Sequence, residues 1–136
     1  MKRKPENATI RELTKAEEQI MQILWSIKKG FVTDILNRFP EPKPAYNTVS
    51  TIIRILENKK FVSHKAYGRS YEYFPKIGKK EYTRVYFRNF IFNYFGNSYK
   101  ALASFYTSEE KLSIKELEEI REIMDSEIKK QKKEKP

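Results

Sequence analysis

The 136-residue chain has no cysteine and a single histidine, His64. Those two scarcities exclude disulfide frameworks, iron–sulfur sites, zinc fingers and thiol nucleophiles, because each needs residues that are missing. Glycine occurs four times, always at a predicted break and never in a loop that could cradle phosphate. No apolar run reaches the roughly 18 residues that a membrane span requires. The opening MKRKPENATI carries basic residues with no apolar stretch behind them, so an export signal is not expected either. A soluble, cytoplasmic protein without membrane insertion is the expectation. Catalysis is not expected: the acid pairs Glu109/Glu110 and Glu118/Glu119 fall on charged helical surface, and His64 has no nucleophile or metal partner at motif spacing. Cofactors, metals and small-molecule ligands are accordingly not expected.

What the chain does have is positive charge, a formal net +10 with pI near 9.7. That excess points to a polyanionic partner, nucleic acid before an anionic membrane, because the basic residues do not line an amphipathic helix with an aromatic face. The charge is uneven. Residues 9–77 hold twelve Lys/Arg against seven Asp/Glu, and residues 78–106 hold five against one. In residues 107–128 the balance reverses to three against eight.

The most informative stretch is Tyr46 to Asn58. Val49, Ile52, Ile53 and Leu56 recur at helical spacing and define a face that packs on a core. The opposite face presents Asn47, Ser50, Thr51, Arg54 and Asn58, small polar groups and one guanidinium with no acid until Glu57 at the side. Such a surface suits the major groove: short side chains allow close approach, while Asn and Arg can each make two hydrogen bonds to a purine edge. An ordinary solvated face has the same composition, so the neighbours decide.

Upstream, Thr14 and Glu17 have capping-box spacing, and Ile20, Ile23, Leu24 and Ile27 form the stripe of a scaffold helix that Lys28, Lys29 and Gly30 end, the glycine tolerating positive φ. Phe31 and Val32 make a short apolar step. Thr33 and Asp34 then cap a second helix that runs to Phe39, with Ile35, Leu36 and Phe39 inward. Pro40, Pro42 and Pro44 forbid continuation and stiffen the connector. Downstream, Phe61 to Tyr67 and Ser70 to Phe74 alternate as two strands joined through Gly68-Arg69, a hairpin with a basic tip. Three helices, a short strand and a hairpin make a winged helix-turn-helix. Tyr46, Asn47, Thr48, Ser50, Thr51 and Arg54 are then the candidate groove contacts, with Lys65 and Arg69 on the DNA backbone.

From Glu81 the composition turns aromatic. Phe87, Phe90 and Tyr94 lie on one stripe of an apolar arc too wide for a single neighbour. Gly96-Asn97-Ser98 breaks this helix, Tyr99 to Tyr106 forms another, and Ser113 with Glu116 caps a third. In that last helix Leu117, Ile120, Met124 and Ile128 form an amphipathic seam opposite Glu118, Glu119 and Glu122. Phe87, Phe90, Tyr94, Leu117, Ile120 and Met124 are the candidate dimerisation residues, an intrachain helical hairpin being the alternative. The expected organisation is mainly α with a small β-hairpin: a disordered basic arm (1–8), a winged-helix domain (9–77), a helical dimerisation domain (78–128) and a disordered basic tail (129–136).

LTKAEEQIMQILW (Leu13 to Trp25), YNTVSTIIRILENKKFVSHK (Tyr46 to Lys65) and YEYFP (Tyr71 to Pro75) together resemble the penicillinase-repressor family of winged-helix regulators, the BlaI/MecI type. The resemblance spans Leu13 to Met124, and its most specific part is the TV-x-T-x-(I/L)-x-x-L pattern of Thr48 to Leu56. It implies a homodimeric repressor that binds palindromic double-stranded DNA operators and is inactivated by cleavage, triggered by a membrane-bound sensor metalloprotease. The positions matching the family's cleavage site are Ser104 and Phe105, where the family has asparagine before the phenylalanine. Two other departures stand out. Lys60 occupies a position that is usually glycine, and the C-terminal cysteine cluster of a copper-responsive branch is absent, which disfavours copper sensing. The rival reading from another class is a winged-helix module that binds protein rather than DNA; the basic hairpin argues against it.

Overall fold

A computed structural model describes residues 10–134 of the chain. The basic arm expected over residues 1–8 lies outside the described residues, as do the last two positions of the expected tail. Six helices and one hairpin follow in the order α1 (Lys15–Ile27), α2 (Val32–Leu36), α3 (Tyr46–Asn58), β1 (Val62–Tyr67), β2 (Ser70–Pro75), α4 (Lys79–Phe95), α5 (Tyr99–Glu109) and α6 (Ile114–Glu134). The chain is therefore mainly helical with a small antiparallel hairpin, as its periodicities suggest.

The start of α1 is set by the expected capping box. Glu17 N donates to Thr14 Oγ1 at 3.2 Å and Thr14 N donates to Glu17 Oε1 at 2.9 Å, which satisfies free amides of the first turn. Glu17 does a second job that its spacing could not announce. Its other oxygen, Oε2, accepts from Lys59 Nζ at 2.7 Å, so a nearly buried carboxylate joins the start of α1 to the end of α3. Burial acts to raise the Glu17 pKa, but the Lys59 and Thr14 contacts outweigh it and hold the carboxyl below the usual range.

Around that joint lies one core. Ile20, Met21 and Leu24 of α1, Ile35 of α2, Val49, Ile53 and Leu56 of α3, and Phe61, Val62 and Tyr73 of the hairpin region are buried together. Ile23, Ile27 and Ile52, expected in the stripes, pack only at its edge. Tyr82 also belongs here. Although it lies on the aromatic helix α4, its ring packs near Phe61 (5.7 Å) and Trp25 (5.9 Å), and its hydroxyl accepts from Leu13 N at 2.8 Å. Trp25 Nε1 donates to Ile77 O at 2.9 Å, a second tie between α1 and the approach to α4.

Several local expectations are corrected. The positive φ at the end of α1 belongs to Lys28 (75°), not Gly30. Gly30 instead pairs with Tyr73 through N–H···O bonds of 2.9 and 2.8 Å, and this single bridge replaces the expected Phe31-Val32 strand. A Cβ at Gly30 would sit 2.8 Å from Ile27 Cδ1 and 3.1 Å from Asp34 Cβ, so an added side chain would have to displace the tip of Ile27 and press on Asp34. The N-cap of α2 is Phe31 rather than Thr33; Asp34 reaches back to accept from Phe31 N at 2.9 Å. Helix α2 ends at Leu36, and Phe39 is buried from the following turn. At the other end of the chain α6 continues through Lys129 to Glu134, where a tail was expected. Its basic residues complement the negative helix pole, and Gln131 Nε2 donates to Glu127 Oε2 at 2.9 Å one turn back.

The hairpin has the expected two-residue turn, with Tyr67 opposite Ser70, His64 opposite Tyr73 and Gly68 at φ 62°. Its entry is a Schellman motif. Phe61 N donates to Leu56 O at 2.9 Å and Lys60 N donates to Glu57 O at 3.0 Å, while Phe61 and Leu56 are both buried. Lys60 therefore occupies the left-handed position of the motif, at φ 71°, where an L side chain is strained and glycine is not. Lys60→Gly is expected to stabilise the protein by about 0.5 to 1 kcal/mol, the relieved strain exceeding the added freedom of the unfolded chain. Urea denaturation of the two proteins measures it, and an unchanged or lower midpoint would remove the strain argument.

Candidate nucleic-acid interface

Helix α3 owes its orientation to its apolar stripe. With Val49, Ile53 and Leu56 sealed in the core, Tyr46, Asn47, Thr48, Thr51 and Arg54 are exposed, and Ser50 is half-buried. Arg54 Nη2 donates to Ser50 Oγ at 3.2 Å one turn away, which lays the guanidinium along the helix surface at the opening between α3 and the hairpin. No acid shares this face until Glu57, and Glu57 is engaged: its Oε2 lies 2.6 Å from His64 Nδ1 of β1.

That Glu57–His64 contact ties α3 to the hairpin. The imidazole also stacks on Tyr71 at 4.0 Å and meets Tyr73 edge-on at 5.6 Å, so its place is structural. Burial, followed by the nearby charge of Glu57, pushes the Tyr73 hydroxyl up from its ordinary pKa, which keeps it neutral in the floor of the opening.

Between α3, the start of α2 and the hairpin tip lies an open cleft of about 670 Å³. Tyr46, Ser50 and Arg54 line one wall and Arg69 stands in the other, so four of the residues expected to meet DNA converge on one concavity. Asn47 and Thr51 remain outward on the exposed helix. Thr48 borders a different depression, against Pro40, Pro42 and Pro44 of the connector, in which the Glu41–Pro42 peptide is cis. Lys65 is exposed on the hairpin with its ammonium 5.3 Å above the Tyr67 ring, and it does not line the cleft.

Sequence reasoning missed Tyr71 and Thr33, which line the same cleft together with Tyr67 of the wing tip. Tyr67 and Tyr71 were visible as strand aromatics, but alternation alone could not say that the hairpin curls their rings toward α3. Tyr67 is held there by Phe31, ring to ring at 5.9 Å. The result is a cleft lined by phenols, with one guanidinium in each wall. Chemically it can take phosphate and stack on or donate to sugar and base edges.

The penicillinase repressor family model matches residues 13–126. The methicillin resistance regulatory protein MecI of Staphylococcus aureus (strain N315) is 25% identical over 114 residues, 83% of this chain and 93% of that protein. The MecI protein of Mammaliicoccus sciuri matches with the same identity and coverage. A penicillinase repressor of Staphylococcus aureus is 26% identical over 114 residues, 83% of this chain and 90% of its own length. From the start of the core to well inside α6, the chain belongs to the penicillinase repressor family, a family of transcriptional repressors.

Proposed function

We propose that this protein is a sequence-specific DNA-binding repressor that works as a homodimer on a palindromic operator. Helix α3 enters the major groove, with Tyr46, Asn47, Thr48, Ser50, Thr51 and Arg54 reading or clamping it. Lys65 and Arg69 of the wing hold phosphate. The observation that carries this reading is the shared cleft of Arg54 and Arg69, in which the one lining carboxylate, Glu57, is engaged by His64. Residues 9–77 are the DNA-binding unit and residues 78–128 the dimerisation unit in this scheme.

Support for the dimer comes from apolar surface that the chain leaves open. Phe87 is 40% and Tyr94 74% exposed on α4, Phe90 is half-buried, and Leu117, Ile120 and Met124 are all exposed on α6, which has no buried residue. Faces of this kind mark subunit contacts. Inactivation follows the family resemblance: a membrane sensor protease leads to cleavage at Ser104–Phe105. Both residues are exposed, and α5 buries none of its side chains. The bond nevertheless lies within a helix, so α5 must open locally before a protease can take it. The cut separates the winged helix from α6, and two linked half-site bindings become independent ones.

Arg54→Ala is expected to weaken specific operator binding by about 1 to 3 kcal/mol with an unchanged melting temperature, the cost of one lost bidentate base contact. Gel shift against operator and scrambled DNA over a range of salt tests it. Unchanged affinity would remove Arg54 from the interface, and a flat salt dependence would favour a module that binds protein. A charge at Leu117 or Met124, such as Leu117→Glu or Met124→Glu, is expected to give monomers that retain the winged helix but bind the operator weakly. Sedimentation that still finds a dimer in both variants would place the seam elsewhere. A fragment ending at Ser104 should remain folded over residues 9–77 and lose operator affinity steeply; full-affinity binding by it, measured by fluorescence anisotropy, would sink inactivation by cleavage.

A further inference from the structure

The turn that ends α3 carries a second basic concavity. Arg11, Ile55, Asn58, Lys59 and Lys60 line an open depression of about 440 Å³, with no carboxylate in its lining. Arg11 and Lys60 are exposed and have no ion-pair partner among the described residues, whereas Lys59 is held by Glu17 at 2.7 Å. The depression therefore presents two uncompensated positive charges, one from the segment before α1 and one from the turn after α3. Lys60 is the unexpected member. It stands at φ 71° in the left-handed position of the Schellman turn, where glycine or asparagine is the unstrained choice. Complementing the negative pole of α3 does not require it, because Lys59 already puts a cation at the C-cap on an ordinary backbone, φ −81°. Strain held at a surface turn directs attention to what the side chain does there.

We propose that Arg11 and Lys60 grip a backbone phosphate of double-stranded DNA on the flank of α3 away from the wing, a contact separate from the cleft of Arg54 and Arg69. This rests on the reading of α3 as the groove helix and adds a binding site to it. At about 100° per residue, Asn58 lies about 40° from Arg54 and Ile55 about 40° from Thr51, so the depression continues the outer face of the helix toward its end. A helix with its side chains is about 10 to 12 Å across and the major groove about 12 Å wide, which brings a phosphate strand to each flank. The cleft supplies cations on the wing side; Arg11 and Lys60 supply them on the other. Between them Asn58 offers an amide donor, and Ile55, 40% exposed, an apolar surface for deoxyribose. Such a contact adds affinity and fixes the tilt of α3 without reading sequence, because phosphate carries no base information.

The test uses the full chain and a mixed-sequence DNA duplex, since a phosphate contact persists on any sequence. Affinity is measured by fluorescence anisotropy over a range of salt, with urea midpoints for each variant. Lys60→Gly removes the strain and the charge together, so stability and binding must move in opposite directions: a higher midpoint, several-fold weaker binding at low salt, and a log–log salt slope shallower by about 1. Arg11→Gln, which leaves the turn untouched, should flatten the slope by the same amount, and the double variant by about 2. Lys111→Gln, an exposed charge between α5 and α6, should leave the slope unchanged. A slope that stays at the wild-type value in Lys60→Gly and Arg11→Gln overturns the site. So does an equal flattening by Lys111→Gln, which would make net charge the cause. If Arg69→Gln flattens the slope while those two variants do not, only this contact falls; wild-type binding without salt dependence overturns the groove reading itself.

Discussion

Everything the N-terminal part presents to solvent depends on burying one stripe of α3. Val49, Ile53 and Leu56 are sealed between α1 and the hairpin region, and no rotation of the helix keeps them dry while turning its polar face away from solvent. The same stripe ends in the Schellman motif that turns the chain into β1, so the position of the wing is an extension of the helix's own termination. Function at this face is thus a by-product of core packing. The outer residues are free to be small and polar because they contribute nothing to holding the helix.

Two glutamates show how the structure keeps negative charge under control next to a cationic surface. Glu17 is closed by Thr14 and Lys59, and Glu57 by His64. Each contact also joins elements far apart in sequence, α1 to the end of α3 in one case and α3 to the wing in the other. Partly buried pairs contribute little net stability when their desolvation is counted, but they penalise any arrangement that leaves one partner alone. They therefore act on geometry, holding the angle between helix and wing on which the shared cleft of Arg54 and Arg69 depends.

The remainder of the chain has a different character. Helix α4 begins inside the winged-helix core through Tyr82 and ends on an exposed aromatic surface at Tyr94, which is why an abrupt change of composition near residue 78 does not correspond to an abrupt structural gap. Beyond it α5 and α6 bury no side chains fully. An isolated amphipathic helix is marginal in water, and packing supplies most helical stability in proteins. The exposed stripe of α6 is the surface that the proposed dimer would cover.

Sequence alone determined what is local. Both capping boxes, the hairpin with its two-residue turn, the inward stripe of α3 and the acid-free outer face follow from spacings of a few residues, where backbone geometry leaves few choices. The motifs around Thr48 to Leu56 likewise pointed to the family. Only tertiary structure decided the rest, because it depends on residues distant along the chain. Gly30 reads as a helix terminator until Tyr73 is seen pairing with it, Tyr82 reads as part of an aromatic helix until Leu13 and Phe61 are found around it, and Glu17 reads as a cap until Lys59 arrives from 42 residues away. The cleft is the clearest case: Arg54 and Arg69 are legible as separate basic residues, and their convergence with Tyr67 and Tyr71 exists only because the wing folds back over α3.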